Sequence, residues 1–369
     1  MNRSDIYARF IGNVESFQLD CEFNFPASGV TAIFGQSGSG KTSLLRCMAG
    51  LTKLPGGEFR LGQTVWQDHR LFLPPHKRDI GYVFQEANLF PHLSVRGNLN
   101  YAMKRAGSSP DGPSFIEVAE LFGLTKLLDR ATDRLSGGER QRVAIGRAIL
   151  AKPKLLLMDE PLANLDSDRR REILPFLESL RRDLDLPIVY VTHQMNEIIR
   201  LADRIIVIDN GKVAASGSVE DVLSRLDLYP LTGRFDAGAV LNCRVVSHDN
   251  EDQLMELAFS GGTIWAPQQN LEIGNPVRIR VRARDIALSL TAPEQTSVLN
   301  IFRARVLECR ESDGGRSDVA LAVGETKLWA SVTMRSMREL GLKEGTDAYA
   351  MIKSVAVDHH SMGKRNLQR

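Results

Sequence analysis

Gly35-Gln36-Ser37-Gly38-Ser39-Gly40-Lys41-Thr42 follows directly on the apolar run Val30-Thr31-Ala32-Ile33-Phe34 and fits the pattern GxxxxGK(S/T). The order predicts a strand, a tight loop and a helix. Glycines at 35, 38 and 40 let backbone N–H groups approach a polyphosphate without side-chain collisions, and a helix beginning near Lys41 points its positive end at the same anion. Lys41 is expected to reach the outer phosphates, and Thr42 to set its hydroxyl on Mg²⁺. The expected nucleotide contacts therefore run from Gly35 through Gln36, Ser37, Gly38, Ser39, Gly40, Lys41 and Thr42 to Ser43.

On the upstream side, Phe17, Leu19, Cys21, Phe23 and Phe25 alternate with polar residues, which predicts a half-buried strand. Downstream, Leu44, Leu45, Met48 and Leu51 continue the helix until Pro55-Gly56-Gly57 stops it. Short strands are expected from 58 to 85, then a mostly helical stretch from about 94 to 150, broken at Gly107 to Pro113. From 154 onward, apolar strands (Leu155 to Met158, Pro187 to Val191, Arg204 to Asp209) alternate with helices. Buried strands separated by helices predict a parallel sheet covered on both faces.

Two further stretches bear on the same chemistry. Leu156-Leu157-Met158-Asp159-Glu160 is a strand that delivers Asp159 at its carboxyl end, where a carboxylate can hold Mg²⁺ opposite Thr42. Glu160 is then placed to orient or deprotonate a water for attack on the γ phosphate. Leu135-Ser136-Gly137-Gly138-Glu139-Arg140-Gln141 combines a helix-capping serine with two glycines, a second anion-binding helix start.

Together, GQSGSGKT, LSGGERQ and LLLMDEP resemble the ATP-binding subunits of ABC transporters. The resemblance implies an α/β P-loop NTPase domain over residues 1–235 with a helical subdomain at about 88–150, working as a homodimer. Ser136, Gly137, Gly138 and Asp166 of one protomer would then complete the ATP site of the other. It also implies that Gln85 joins the Mg²⁺ shell and signals to membrane subunits, that Glu160 is the catalytic carboxylate, and that His193 contacts the γ phosphate. An aromatic residue upstream is expected to stack on adenine; Tyr7, Phe10 and Phe17 are available and none is assigned, Phe17 fitting the strand core better. The helices around 90 to 130, with Gln85, are expected to receive a short helix of a permease.

After a linker at Pro230 to Gly238 the composition becomes β-rich. Val240-Leu241-Asn242 is echoed by Val298-Leu299-Asn300, Thr263-Ile264-Trp265-Ala266 by Lys327-Leu328-Trp329-Ala330, and Asp285 to Leu288 by Ser354 to Val357. Two small all-β, OB-like units are expected, at 239–290 and 293–358, with a tail at 359–369. This tandem resembles the TOBE/Mop domain of importer ATPases. With Tyr82 to His92 and Val95 to Leu99 it resembles the molybdate importers in particular. Thr296, Ser297, Lys353 and Ser354 are the candidate oxyanion ligands, although Leu299 stands where the related module often has arginine. Arg278, Arg280, Arg282 and Arg284 alternate with smaller residues and are expected to form a solvated strand face.

The bulk numbers agree. The 369 residues call for two or three domains, and 47 basic against 45 acidic residues give no field that recruits nucleic acid. Four scattered cysteines make neither a zinc site nor a disulfide framework. No secretion signal and no run near the roughly 20 apolar residues of a spanning helix is present. The expectation is an ATP- and Mg²⁺-dependent ATPase on the cytoplasmic face of the inner membrane. It would be held by a permease served by a periplasmic oxyanion-binding protein, with molybdate also a candidate ligand of the C-terminal domain. Import of sulfate or another solute, or a non-transport ATPase acting on nucleic acid, are the alternatives.

Overall fold

Ile6, Ala8 and Phe10 alternate with partly exposed neighbours, as do Leu19, Cys21 and Phe23 with exposed ones. Asp5–Val14 (β1) and Phe17–Pro26 (β2) therefore form an antiparallel pair with one buried face. The computed structural model describes residues 5–14, 17–106, 112–184, 186–228, 231, 238–312, 314–357 and 362–364. Most of the expected break at 107–113 and of the expected linker at 230–238 lies outside them. The chain divides into Met1–Gly217 and Ser218–Arg369, earlier than the expected boundary at 235.

In the first unit the elements continue with Val30–Phe34 (β3), Lys41–Met48 (α1), Glu58–Leu61 (β4), Thr64–Gln67 (β5), Ile80–Val83 (β6), Val95–Ala106 (α2), Phe115–Leu121 (α3) and Gly137–Leu150 (α4). They end with Leu155–Asp159 (β7), Ser167–Asp183 (α5), Ile188–Thr192 (β8), Met195–Leu201 (α6), Arg204–Asp209 (β9) and Lys212–Ser218 (β10). One sheet runs in the order β5-β4-β1-β2-β10-β9-β3-β8-β7-β6. Its β9-β3-β8-β7-β6 part is parallel. Every residue of β3, β7 and β8 is buried, as expected of strands covered on both faces. The carboxyl ends of β3, β7 and β8 lie side by side, with Phe34 opposite Thr192 and Asp159 opposite Val191. The site is built there. Arg78, buried, donates to the carbonyls of Cys47 and Met48 and so caps the far end of α1.

The second unit comprises Val219–Leu223 (α7), Gly238–Asp249 (β11), Leu254–Phe259 (β12), Gly262–Pro267 (β13), Pro276–Arg282 (β14), Ile286–Ser289 (β15), Asn300–Ser312 (β16), Arg316–Val323 (β17), Thr326–Thr333 (β18), Met334–Glu339 (α8), Asp347–Ile352 (β19) and Met362–Lys364 (β20). Two five-stranded sheets result, β13-β12-β11-β14-β20 and β15-β19-β16-β17-β18. They share one apolar core, in which Leu257, Ile264 and Ile279 meet Val319, Leu321 and Leu328.

The repeat is real, but its halves are interlocked. β15 leaves the first half to pair with β19, and β20, within the expected tail, returns to pair with β14. The structural register confirms one echo and shifts two. Trp265 faces Glu256 as Trp329 faces Ala320, and Val245 faces Leu257 as Val306 faces Leu321. Gly274 donates to the Val245 carbonyl as Gly345 does to that of Val306. On this frame Asn300 corresponds to Ala239 rather than Asn242, because Ala239 faces Val281 where Asn300 faces Ile352.

The arginine stripe on β14 is not solvated as a whole. Arg278 and Arg280 are 3% and 2% exposed. Arg278 lies 2.9 Å from Glu220 of α7, which places a carboxylate over that strand. An alternating pattern shows which side chains share a face, not what covers it.

Candidate functional site

The loop between β3 and α1 is shaped by its glycines. Gly38 and Gly40 hold φ of +81° and +100°, in the left-handed region that side chains disfavour. A Cβ on Gly35 would lie 2.3 Å from the Ile208 carbonyl, so that position requires glycine for space alone. A Cβ on Gly38 would meet nothing within 4 Å, so the loop borders open space at that point. Lys41, 5% exposed, folds back and donates to the carbonyls of Gly35 and Gln36 at 2.9 and 2.8 Å.

Asp159 ends β7 beside this loop. Its Oδ1 accepts from Thr42 Oγ1 at 3.0 Å and its Oδ2 from the Tyr82 hydroxyl at 3.1 Å. Burial pushes the Asp159 carboxyl above its ordinary range, and the two hydroxyl donors work against that shift. Burial and the Asp159 charge likewise push the Tyr82 phenol up, so Tyr82 stays a donor. Burial lowers Lys41, opposed by Glu160 and Asp159.

Glu160 takes a φ of +43°, a strained value for a residue with a side chain. Two bonds hold it there: its N–H donates to the Val191 carbonyl and its carbonyl accepts from Ala163. The side chain consequently faces Lys41 and His193, with Lys41 Nζ 4.0 Å from Oε1 and His193 Nδ1 3.0 Å from Oε2. Lys41, Thr42, Asp159, Glu160 and His193 are thus brought together as the sequence led one to expect.

Beneath His193 lies a group that the sequence reading passed over. Glu197, 3% exposed on α6, accepts from Thr192 Oγ1 at 2.7 Å and from the Tyr190 hydroxyl at 2.9 Å. Its other oxygen lies 3.4 Å from Arg170 Nε, and Arg170 also donates to the Leu165 carbonyl. One buried carboxylate therefore ties the His193 loop to the 162–166 loop. Tyr82 was missed for a similar reason: in a strand, a tyrosine looks like core.

Other expected residues stand apart. Ser136 caps α4 in a reciprocal pair with Glu139, Ser136 N to Oε2 at 2.7 Å and Glu139 N to Oγ at 3.2 Å, so its bonds do not run to the phosphate loop. Gly137 borders Leu165, whose Cδ2 would be 3.3 Å from a Cβ there, and Gly138 follows within the same first turn. Asp166 caps α5 through Arg169 N at 2.9 Å. Gln85 is exposed and lines a cleft of about 440 Å³ together with Asn88, Gly137, Arg140, Asn164 and Leu165. Of the three aromatics upstream, Phe10 is fully buried and Tyr7 is engaged by Glu22 and the Arg60 guanidinium. Phe17 adjoins the loop, its ring filling the space a Cβ on Gly40 would need.

The oxyanion candidates split. Thr296, Ser297 and Lys353 are exposed, whereas Ser354 is buried and accepts from Asn300 Nδ2 at 3.3 Å. Asn300 also closes a two-point contact with the Trp265 backbone, N–H to Oδ1 at 2.7 Å and Nδ2 to carbonyl at 3.0 Å.

The loop residues fit a bound polyphosphate with Mg²⁺. Ser39 Oγ is buried without a hydrogen-bond partner, and a hydroxyl beside a carboxylate, Thr42 with Asp159, is a hard-oxygen pair suited to that ion.

Comparison with known proteins agrees with this geometry. The ABC transporter family model matches residues 19–163 and the TOBE domain model residues 296–358. The chain is 48% identical to Molybdenum import ATP-binding protein ModC of Methylococcus capsulatus, over 96% of this chain and 99% of that one. It is also 48% identical to the ModC of Thiobacillus denitrificans, over 95% and 97%. Among solved structures, an ATP-binding cassette of an ABC transporter in its ADP conformation matches 58% of this chain and 91% of its own. That match has a TM-score of 0.50 at 23% identity, a likeness of fold.

Proposed function

The chain belongs to the ModC family of molybdenum import ATP-binding proteins, within the ABC transporters, and from that premise we propose how its residues divide the work. It binds and hydrolyses ATP to drive molybdate import. The observation that carries the reading is the convergence of Lys41, Thr42, Asp159, Glu160 and His193 at the ends of three adjacent parallel strands.

Lys41 and the loop N–H groups hold the phosphates, Lys41 exchanging the Gly35 and Gln36 carbonyls for phosphate oxygens. Thr42 and Asp159 would hold Mg²⁺, with Gln85 the further residue that would join its shell. Bound there, the ion neutralises charge that develops on the phosphates. Glu160 accepts the proton of the attacking water, and His193 keeps the Glu160 carboxylate turned toward the γ phosphate. Ser136, Gly137, Gly138 and Asp166 act on the nucleotide of a second copy; their separation from the chain's own loop supports a homodimer with two shared sites.

No described helix is long and apolar enough to cross a membrane. Attachment at the cytoplasmic face of the inner membrane therefore comes through a permease, which a periplasmic molybdate-binding protein loads. The exposed Thr296, Ser297 and Lys353 offer hydroxyls, N–H groups and an ammonium to an oxyanion, which suits molybdate, while Ser354 is already engaged by Asn300. The test is ATPase activity of the chain with its permease and binding protein in vesicles. Molybdate should stimulate turnover at concentrations where sulfate does not; stimulation by sulfate alone would overturn the substrate.

A further inference from the structure

The Glu197 network, the bonds from Arg147 to the carbonyls of Ala87 and Asn88, and Tyr82 all lie outside the phosphate loop. Tyr82 reaches the chemistry most directly.

Tyr82 sits on β6 opposite Leu157 of β7, two residues before Asp159. Its hydroxyl donates to Asp159 Oδ2 while Thr42 occupies Oδ1, so each carboxylate oxygen has one fixed donor and the plane of the group is set. A carboxylate offers about four acceptor positions, and two remain. Phe84 packs on the Tyr82 ring at a centroid distance of 4.3 Å, and the Phe84 carbonyl accepts from Gln141 of α4. Gln85 follows immediately. The ring that carries the phenol thus packs on Phe84, a residue that adjoins Gln85 and is bonded through its carbonyl to α4.

We propose that Tyr82 is a positioning residue for the divalent cation: it orients the Asp159 carboxylate so that its free acceptor positions face the Thr42 side of the phosphate loop. This rests on Asp159 as the Mg²⁺ carboxylate. A phenylalanine keeps the ring against Phe84 and removes only the donor.

The experiment is ATP binding by the full chain carrying Glu160→Gln, which blocks turnover, measured by calorimetry in EDTA and across a Mg²⁺ titration, with Mn²⁺ binding followed by its electron paramagnetic resonance signal. Adding Tyr82→Phe should weaken Mg²⁺ and Mn²⁺ about threefold to tenfold in the presence of ATP, with metal-free ATP affinity and melting temperature unchanged. Unchanged metal affinity, or an equal loss in EDTA, would overturn the proposal. Asp159→Asn separates the two levels. If it weakens the metal and Tyr82→Phe does not, only the role of Tyr82 fails; if neither does, the assignment of Asp159 fails with it.

Discussion

His193 Nδ1 and Glu160 Oε2 lie 3.0 Å apart, and this contact joins the ends of two neighbouring strands, β8 and β7. The backbone strain at Glu160 makes sense in that light: a φ of +43° turns the side chain toward both His193 and Lys41. Replacing Glu160 by Gln keeps the hydrogen-bonding shape and removes the proposed base. Phosphate release should fall by about a hundredfold to ten-thousandfold, while ATP affinity by calorimetry stays within a few-fold. Turnover at the wild-type rate would sink the assigned role.

In the proposed function Lys41 exchanges its two carbonyl acceptors for phosphate oxygens, so its charge serves the ligand rather than the fold. Lys41→Ala should weaken ATP binding about tenfold to hundredfold and leave the melting temperature near that of the wild type.

Glu197 is a different case, because three groups depend on it. Burial pushes its carboxyl up, yet Tyr190, Thr192 and Arg170 all point at it. Glu197→Ala leaves the Arg170 cation facing an empty place and should cost about 3–5 kcal/mol in urea unfolding. Glu197→Gln retains acceptors for both hydroxyls and should cost visibly less.

Cys47 and Cys21 are buried thiols pushed up to about 12 and about 11 from 9.0, chiefly by desolvation. Between pH 9 and 11 the unfolded chain loses these protons and the native chain keeps them. Their contribution is accordingly complete below about pH 9 and is lost as pH rises toward the native values. Urea midpoints should fall across that window, and Cys47→Ala should flatten the fall; a parallel curve would contradict it.

Asn300 opens β16 in the second sheet but bonds both backbone groups of Trp265 in the first. Asn300→Ala leaves the part-buried N–H and carbonyl of Trp265 without this partner and should destabilise the C-terminal unit by about 1–2 kcal/mol, read from thermal unfolding of the full chain.

Much of this was legible in the chain itself, for reasons that differ by residue. The phosphate loop, Asp159 and Glu160 announce themselves because their chemistry fixes residue type and spacing together. β1 carried the same alternation as β2, in Ile6, Ala8 and Phe10, and was overlooked beside the louder signal. Tyr82 and Glu197 could not be picked out: a tyrosine in a strand and a glutamate in a helix each have an ordinary use, and only the partner across the fold gives them another. Strand exchange is invisible to periodicity, since a strand of four residues reads the same whichever neighbour it pairs with. The buried Arg278 failed as part of a solvated face because its acidic partner, Glu220, belongs to a helix far upstream.

The exchange of β15 and β20 also dictates an order of events during synthesis. The sheet that begins at Gly238 has an edge strand in Met362–Lys364, made long after the other four. Its first four strands stay open at β14 until Met362–Lys364 arrives. Each half is in effect donor and acceptor to the other, so the tandem behaves as a dimer sealed inside one polypeptide. A protein trimmed after Val357 would present the unsealed β14 edge to any neighbouring copy.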